Sequence, residues 1–416
     1  MTIEATTDDR FDGWLVVGAV FLLFVTSAGL GFYGLAIYLD AIIDEQGFSN
    51  SSVSLATSMF FLIGALVGRL IARPVELGYV RHLVIAGAVL AGGSLMVLGQ
   101  VEQVWQLYAV YVVFAVGFAL AGIIPGTTLV TRWFHVRRSV AVAVASSGLS
   151  VGGLTLTQLA SWLIRRDGLS SATPWLGATF IVLTVLSAVF MWPTPESRGQ
   201  QPDGGRRQAR TAADAAPSTG APYDVAVRSR FFWTTTAGFF LAMSAQVGSI
   251  AHLASLGSDR VDKGTGALAV LALALASASF RLLGGFVAAR VPMATLTIGC
   301  AALQGVSQIL LAESSSKAAI IGSAFIMGAT IGNLLMLQAL LVAEAFGVMA
   351  FARIFSLNQL IVTLGVATGP FLLGGLEDLS SYRLSFWVAG ALSVVAAAIF
   401  AAGGSVARTQ HELGVT

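Results

Sequence analysis

The sequence predicts an all-α membrane protein with twelve transmembrane helices in two pseudo-symmetric six-helix bundles. Three observations predict it. Of the 416 residues, 56% are hydrophobic and only 11% charged, with a mean hydropathy of +0.82, whereas a soluble domain carries about 25% charged residues. The apolar residues gather into twelve runs, each near the ~20 residues that cross a bilayer as a helix. A polar segment divides these runs six from six, and the two halves echo each other in sequence.

Taken in order, the N-terminus MTIEATTDDR is acidic and polar. It lacks the basic n-region and small-residue cleavage site of a signal peptide, so the first span is expected to remain in the mature protein. Spans are expected near 14–39, 53–72, 82–100, 105–131, 139–164 and 174–192, then near 231–256, 265–288, 292–312, 318–342, 351–375 and 384–404. The segment between the sets is rich in Pro, Gly, Ser, Ala and Arg and reads as a mobile loop. The expected domains are residues 1–192, a linker 193–229 on the cytoplasmic side, and residues 230–416.

Orientation follows from the basic residues. Sixteen of the 23 lie on the side that carries both termini and the linker, including Arg69, Arg73, Arg137, Arg138, Arg290 and Arg353. Six lie on the other side: Arg165, Arg166, Arg260, Lys263, Lys317 and Arg383. The richer side is therefore expected to be cytoplasmic, in a plasma (inner) membrane. Trp105, Trp175, Trp192, Trp233 and Trp387 fall near span ends, as an aromatic interface belt requires. The halves echo at GRLIAR (Gly68 to Arg73) and GFVAAR (Gly285 to Arg290), 217 residues apart and each at the end of the second span of its set. That spacing fits a duplicated unit.

Composition also excludes classes. The net charge of +2 argues for no nucleic-acid partner, and Cys300 as the only cysteine excludes an internal disulfide and a cysteine metal site. No span carries a phosphate loop, a His-Glu-x-x-His pair or a catalytic triad. Neither an enzyme, nor a cofactor, nor a metal is expected.

One residue stands out chemically. Arg281 lies in the middle of the eighth apolar run, and the other basic residues can be placed in loops or at span ends. An arginine at the centre of a span costs about 2.5–3.5 kcal/mol on insertion scales and normally faces a cavity or partner. A guanidinium there suits a carboxylate guest through its planar, multi-donor fork; the bland alternative is an arginine satisfying the carbonyls of a broken neighbouring helix. Ser277 lies one turn earlier on the same face. His252, near the outer end of the seventh run, is either a proton-coupling group or an interfacial histidine. Tyr33, Gln158, Asn333, Gln338, Asn358 and Gln359 are polar at depth, where side chains more often join helices than line a site. Asn358 shares its span with Gly365, Gly369 and Pro370, marks of a bendable helix. The cluster Arg132, His135, Arg137 and Arg138 is either a lipid or helix-end grip or a positive-inside anchor.

These residues resemble a known family. Twelve spans in two halves with Gly-x-x-x-x-Arg after the second and eighth is similar to the major facilitator superfamily. Within it, three stretches resemble the monocarboxylate transporter family and its bacterial relatives, which include the oxalate/formate antiporters. They are DGW (Asp12, Gly13, Trp14), RWFHVRRSVAVAVASSGLSVGG (Arg132 to Gly153) and the stretch from Ala345 to Asp378. The resemblance implies a proton-linked carrier of small carboxylates that works by alternating access. It places the carboxylate-binding arginine on Arg281, its neighbour on Ser277, and the histidine of bacterial relatives on His252. It puts the cytoplasmic gate and structural motifs on Asp12, Gly13, Gly68, Arg73, Arg137, Arg138, Gly285 and Arg290. The chain departs from the family in lacking lysines in the first and eleventh spans and in carrying Ala72 where the second-span motif has an acid. One cavity arginine without those lysines suits a monoanion.

The expected function is therefore secondary active transport of a small monocarboxylate-type anion, coupled to protons, by a monomer in the lipid bilayer. Arg281, Ser277, His252, Tyr33 and Asn358 are the expected substrate residues. An exporter or exchanger of a larger amphipathic or aromatic anion is the alternative, and a membrane sensor that binds without transport is a third.

Overall fold

The computed structural model describes residues 11–204 and 220–413. Residues 1–10, including Arg10, and the linker positions Arg206, Arg207 and Arg210 lie outside the described residues. Among the described residues, twelve helices are long and apolar enough to cross a bilayer. They are α1 (Gly13–Gln46), α2 (Ser51–Glu76), α3 (Val80–Leu98), α4 (Val104–Trp133), α5 (Arg138–Asp167), α6 (Leu169–Val189), α7 (Arg230–Arg260), α8 (Gly264–Ala288), α9 (Met293–Glu313), α10 (Lys317–Phe346), α11 (Phe351–Leu379) and α12 (Tyr382–Ala402).

Local chemistry sets the helix starts. Ser49, Ser229, Asp262, Ser316 and Ser381 each accept a hydrogen bond from the backbone N–H three residues on, satisfying an otherwise orphaned donor of the first turn. The structure lengthens several predicted spans. The span expected to end near residue 39, before Asp40, continues as helix through Asp44 and Glu45 to Gly47, whose φ of 70° ends it. Glu45 serves the next element too, because its carboxylate accepts the N–H of Leu169 (2.7 Å) at the start of α6. Similarly α2 runs past Arg73 and through Pro74 to Glu76. Arg132 donates to the end carbonyls of Val75 (3.3 Å) and Glu76 (2.9 Å) that the helix leaves open.

Packing repeats with a period of six helices. In the first half α1 packs on α5 and α6, α2 on α4, and α3 on α4 and α6; in the second, α7 packs on α11 and α12, α8 on α10, and α9 on α10 and α12. The crossing of α1 with α5 needs glycine: a Cβ on Gly152 would run into the carbonyl of Val25. Gly369 meets the carbonyl of Ser244 in the same way where α11 crosses α7. Small residues let backbones approach this closely inside lipid, where packing rather than water drives association. The bundles join through two pairs that exchange under the pseudo-two-fold, α2 with α11 and α5 with α8.

Two helices depart from regular geometry. A π-helical stretch, Ser27–Phe32, interrupts α1, and α4 breaks at Ala121–Gly122. Pro370 lies inside α11 and removes one of its backbone donors.

Candidate functional site

Arg281 projects from α8 into the seam between the bundles, where it is 3% exposed. Its Nη1 donates to the backbone carbonyl of Ser146 on α5 at 2.8 Å, so a charge from one bundle is held by a dipole from the other. No carboxylate pairs with it among the described residues, and its Nε is buried without a partner. Gly332 on α10 makes room, since a Cβ there would approach the arginine's Cβ and Nε to 2.9 Å and the carbonyl of Ser277 to 2.7 Å. A buried guanidinium with one neutral acceptor is under-satisfied, because a charged group pairs most strongly with an opposite charge. Ser277, buried, sits one turn from Arg281 as expected. Asn333 on α10 lies against Gly284 of α8, and its Oδ1 is also buried without a donor.

On the linker side of this seam the bundles are bolted together. Glu76 at the end of α2 accepts the backbone N–H of Arg353 at 3.0 Å and its Nε at 2.7 Å. The carboxylate thus caps the first turn of α11 and pairs with its arginine. Tyr223, in the single turn Tyr223–Ala226 near the end of the linker, lies between two guanidiniums. Its hydroxyl accepts from Arg69 Nη2 (2.7 Å), and its ring centroid is 5.0 Å from Arg69 and 5.4 Å from Arg353. Arg138 of α5 donates to Phe134 O and to Ala343 O of α10 at 3.0 and 3.5 Å. Beside it, a Cβ on Gly285 of α8 would run into the Cβ of Ala143 of α5. Beside Ser146 lies a cavity of about 20 Å³, bordered also by Phe24, Thr127, Leu335, Met336 and Phe355. It is room for about one water molecule.

The other gate positions serve their own neighbourhoods. Asp12 pairs with Arg198 at 3.1 Å, and Gly13 is covered by the ring of Phe11. Gly68 lies under Ile124, and Arg290 donates back to Phe286 of its own helix at 3.4 Å. Among the described residues, the side chains of Arg73 and Arg137 show no hydrogen bond. The backbone N–H groups of His135, Val136 and Arg137 all reach the carboxylate of Asp203, at 2.8, 2.6 and 3.1 Å. Outside the spans, Asp262 is held below the usual carboxylate range, chiefly by the N–H of Thr265 that it caps.

The structure does not bring two expected site residues to Arg281. The Nε2 of His252 meets the carbonyl of Pro370 at 3.1 Å, and the ring lies 6.2 Å from that of Tyr382, in a crevice of α7, α11 and α12. Asn358 is fully buried in its own bundle: it donates to Thr236 Oγ1 at 2.9 Å and accepts from Gln338 Nε2 at 2.7 Å. That is the helix-joining role of polar residues in lipid. Glu76, Arg353 and Tyr223 were not singled out from the sequence. A signal for Glu76 existed, as an acid three residues past Arg73 on the side richest in arginine.

Comparison with known proteins agrees with this architecture. The chain is 25% identical over 390 residues to monocarboxylate transporter 13 of Rattus norvegicus, covering 91% of this chain and 86% of that one. It is 27% identical over 239 residues to the oxalate:formate antiporter of Oxalobacter formigenes, spanning 55% of this chain and about half, 51%, of that protein. Among solved structures, the fucose:proton symporter FucP of E. coli superposes with a TM-score of 0.71 at 12% identity, over 95% of this chain and 100% of that one. The family model for the Major Facilitator Superfamily matches residues 19–303. A match of that extent on a twelve-helix fold places the chain in a defined family: it belongs to the major facilitator superfamily.

Proposed function

We propose that the chain is a proton-coupled secondary carrier of a monocarboxylate-type organic anion, with Arg281 as the carboxylate-binding residue. One observation carries the reading: Arg281 is buried between the bundles with a carbonyl as its acceptor and, among the described residues, no acid. A carboxylate offers two charged acceptors to the guanidinium fork and outcompetes a single neutral carbonyl. Binding would therefore exchange the tie to Ser146 for a guest, and would neutralise a charge that is costly to move between the two faces of a membrane.

The bodies proposed to rock are residues 1–192 and 230–416, joined by 193–229, with both termini and the linker in the cytoplasm. Opening on the linker side then requires the Glu76–Arg353 pair to part. The names of the relatives support the substrate and coupling class, since one is a monocarboxylate transporter and another a fucose:proton symporter. His252 is the proposed proton-coupling residue. Its Nε2 donates to the carbonyl of Pro370, the proline inside α11, which leaves Nδ1 as the ring nitrogen free to take a proton. In this reading protonation acts through the shape of α11 rather than by contact with the substrate.

The test is uptake of labelled organic acids into proteoliposomes, with and without an inward proton gradient, for wild type and Arg281→Gln. Gradient-driven uptake lost in the variant supports the reading; unchanged anion affinity in Arg281→Gln would sink it. The alternative of a larger amphipathic or aromatic anion is favoured by one observation, the exposed aromatic rings of α1.

A further inference from the structure

The π-helical stretch Ser27–Phe32 of α1 is unused by the mechanism above. A π-turn inserts a residue, spoils the hydrogen-bond ladder, and is frequent at functional sites. Here the distortion is supported by side chains of the same bundle: Thr157 donates to Gly29 O at 2.9 Å and Tyr38 donates to Leu30 O at 3.0 Å. Its consequence is the placement of two rings. Phe32 and Tyr33 are 38% and 43% exposed, and stand edge to face at 5.0 Å. Phe32 continues the aromatic edge to Phe61 of α2 at 5.7 Å.

The location of this edge is set by α5. Tyr33 lies over Gly153, where a Cβ would come within 2.8 Å of its ring. Gly153 follows Ser146 by seven residues, which is nearly two full turns, so the two share a face of α5 about 10 Å apart. Ser146 is the residue whose carbonyl holds Arg281. Guanidinium and aromatic edge therefore border one strip of α5, with the charge buried at the closed end and the rings uncovered beyond it. A two- or three-carbon acid can reach the charge or the rings. An acid carrying an aryl group on a short chain reaches both.

We infer that the substrate is an arylalkanoate, its carboxylate on Arg281 and its ring against Tyr33 and Phe32, which makes those two residues specificity-determining. The inference rests on the carboxylate-binding reading of Arg281 and adds the substrate class to it.

Calorimetric binding to the purified protein tests it, with 3-phenylpropanoate, propanoate and 3-phenylpropanamide as ligands. The proteins are wild type, Tyr33→Ala, Tyr33→Phe, Phe32→Ala and Arg281→Gln, each first shown to be helical and monodisperse. Wild type is expected to bind 3-phenylpropanoate about tenfold or more tighter than propanoate, the scale of a buried ring in an aromatic contact. Tyr33→Ala and Phe32→Ala should erode that ratio, and Tyr33→Phe, which keeps the ring, should retain it. Equal affinity for the two acids overturns the substrate class and leaves the arginine reading intact. Equal affinity for acid and amide overturns the arginine reading instead. A ratio unchanged in both alanine variants overturns the assignment of the rings, and absence of binding by all three ligands overturns the inference outright.

Discussion

Glu76→Gln removes one charge from the end of α2 while keeping the size and shape of the side chain that closes onto α11. The wild-type carboxylate accepts two bonds from Arg353, at 3.0 and 2.7 Å, and the Glu76 and Arg353 side chains are 10% and 37% exposed. Hydrogen bonds to charged groups contribute about 1.5–3 kcal/mol when shielded. The arginine is more than a third exposed, so solvent screening lowers this to about 1–2 kcal/mol. The amide still accepts from the backbone N–H, but it loses the ion pair. Because the pair joins the two bundles, its loss falls on the linker-side-closed state and not on the folding of either half. The expected shift in the closed-to-open ratio is about 5–30-fold. Pulsed electron resonance measures it directly, after Cys300→Ala, with spin labels on cysteines placed at the exposed positions Tyr79 and Arg290 in the α2–α3 and α8–α9 turns. A longer-distance population should grow in Glu76→Gln and equally in Arg353→Gln. A distance distribution that stays the same in both variants would refute the assignment of this pair as a latch, whatever the variants do to transport.

Other perturbations separate the remaining roles. Gly332→Ala places a Cβ within 2.9 Å of Arg281 and 2.7 Å of Ser277 O; thermal unfolding in detergent should reveal a loss of about 1–3 kcal/mol from overpacking, with weakened anion binding because the guanidinium is displaced. Asn358→Ala strands Gln338 Nε2 and the Thr236 hydroxyl in a buried site, an expected cost of about 1–3 kcal/mol, with the KM for the carboxylate unchanged; a selective rise in KM at wild-type stability would put Asn358 in the site instead. His252→Gln preserves a donor to Pro370 O but cannot titrate, so proton-driven accumulation should disappear while exchange of internal for external anion persists, as counterflow assays would show. Asp262→Ala removes the cap of α8, whose carboxylate is held below its ordinary range by the Thr265 N–H. A depressed carboxylate stabilises above its unfolded pKa, and that stabilisation fades as pH falls through the folded value. The variant should therefore melt below wild type at pH 7 and converge with it in acid.

Much of the architecture is decided residue by residue along the chain. Whether a stretch of about 20 residues enters a bilayer depends on its own transfer energy, which is why twelve spans and their division were readable before any packing was known. The cost of an arginine at depth is local in the same sense, and it marked Arg281. What a polar side chain faces is another matter. Each residue turns a helix by about 100°, so its partner depends on the rotation and crossing of two helices distant in sequence. The tertiary structure alone matched Arg281 with the carbonyl of Ser146, 135 residues away. It also matched Glu76 with Arg353 across 277 residues, the acid absent at Ala72 being supplied one turn later. Packing likewise turned His252 toward Pro370 and closed Asn358 into a network with Thr236 and Gln338, away from the arginine. Burial is a property of a segment, whereas hydrogen-bond partnership is a property of the interface that two segments make.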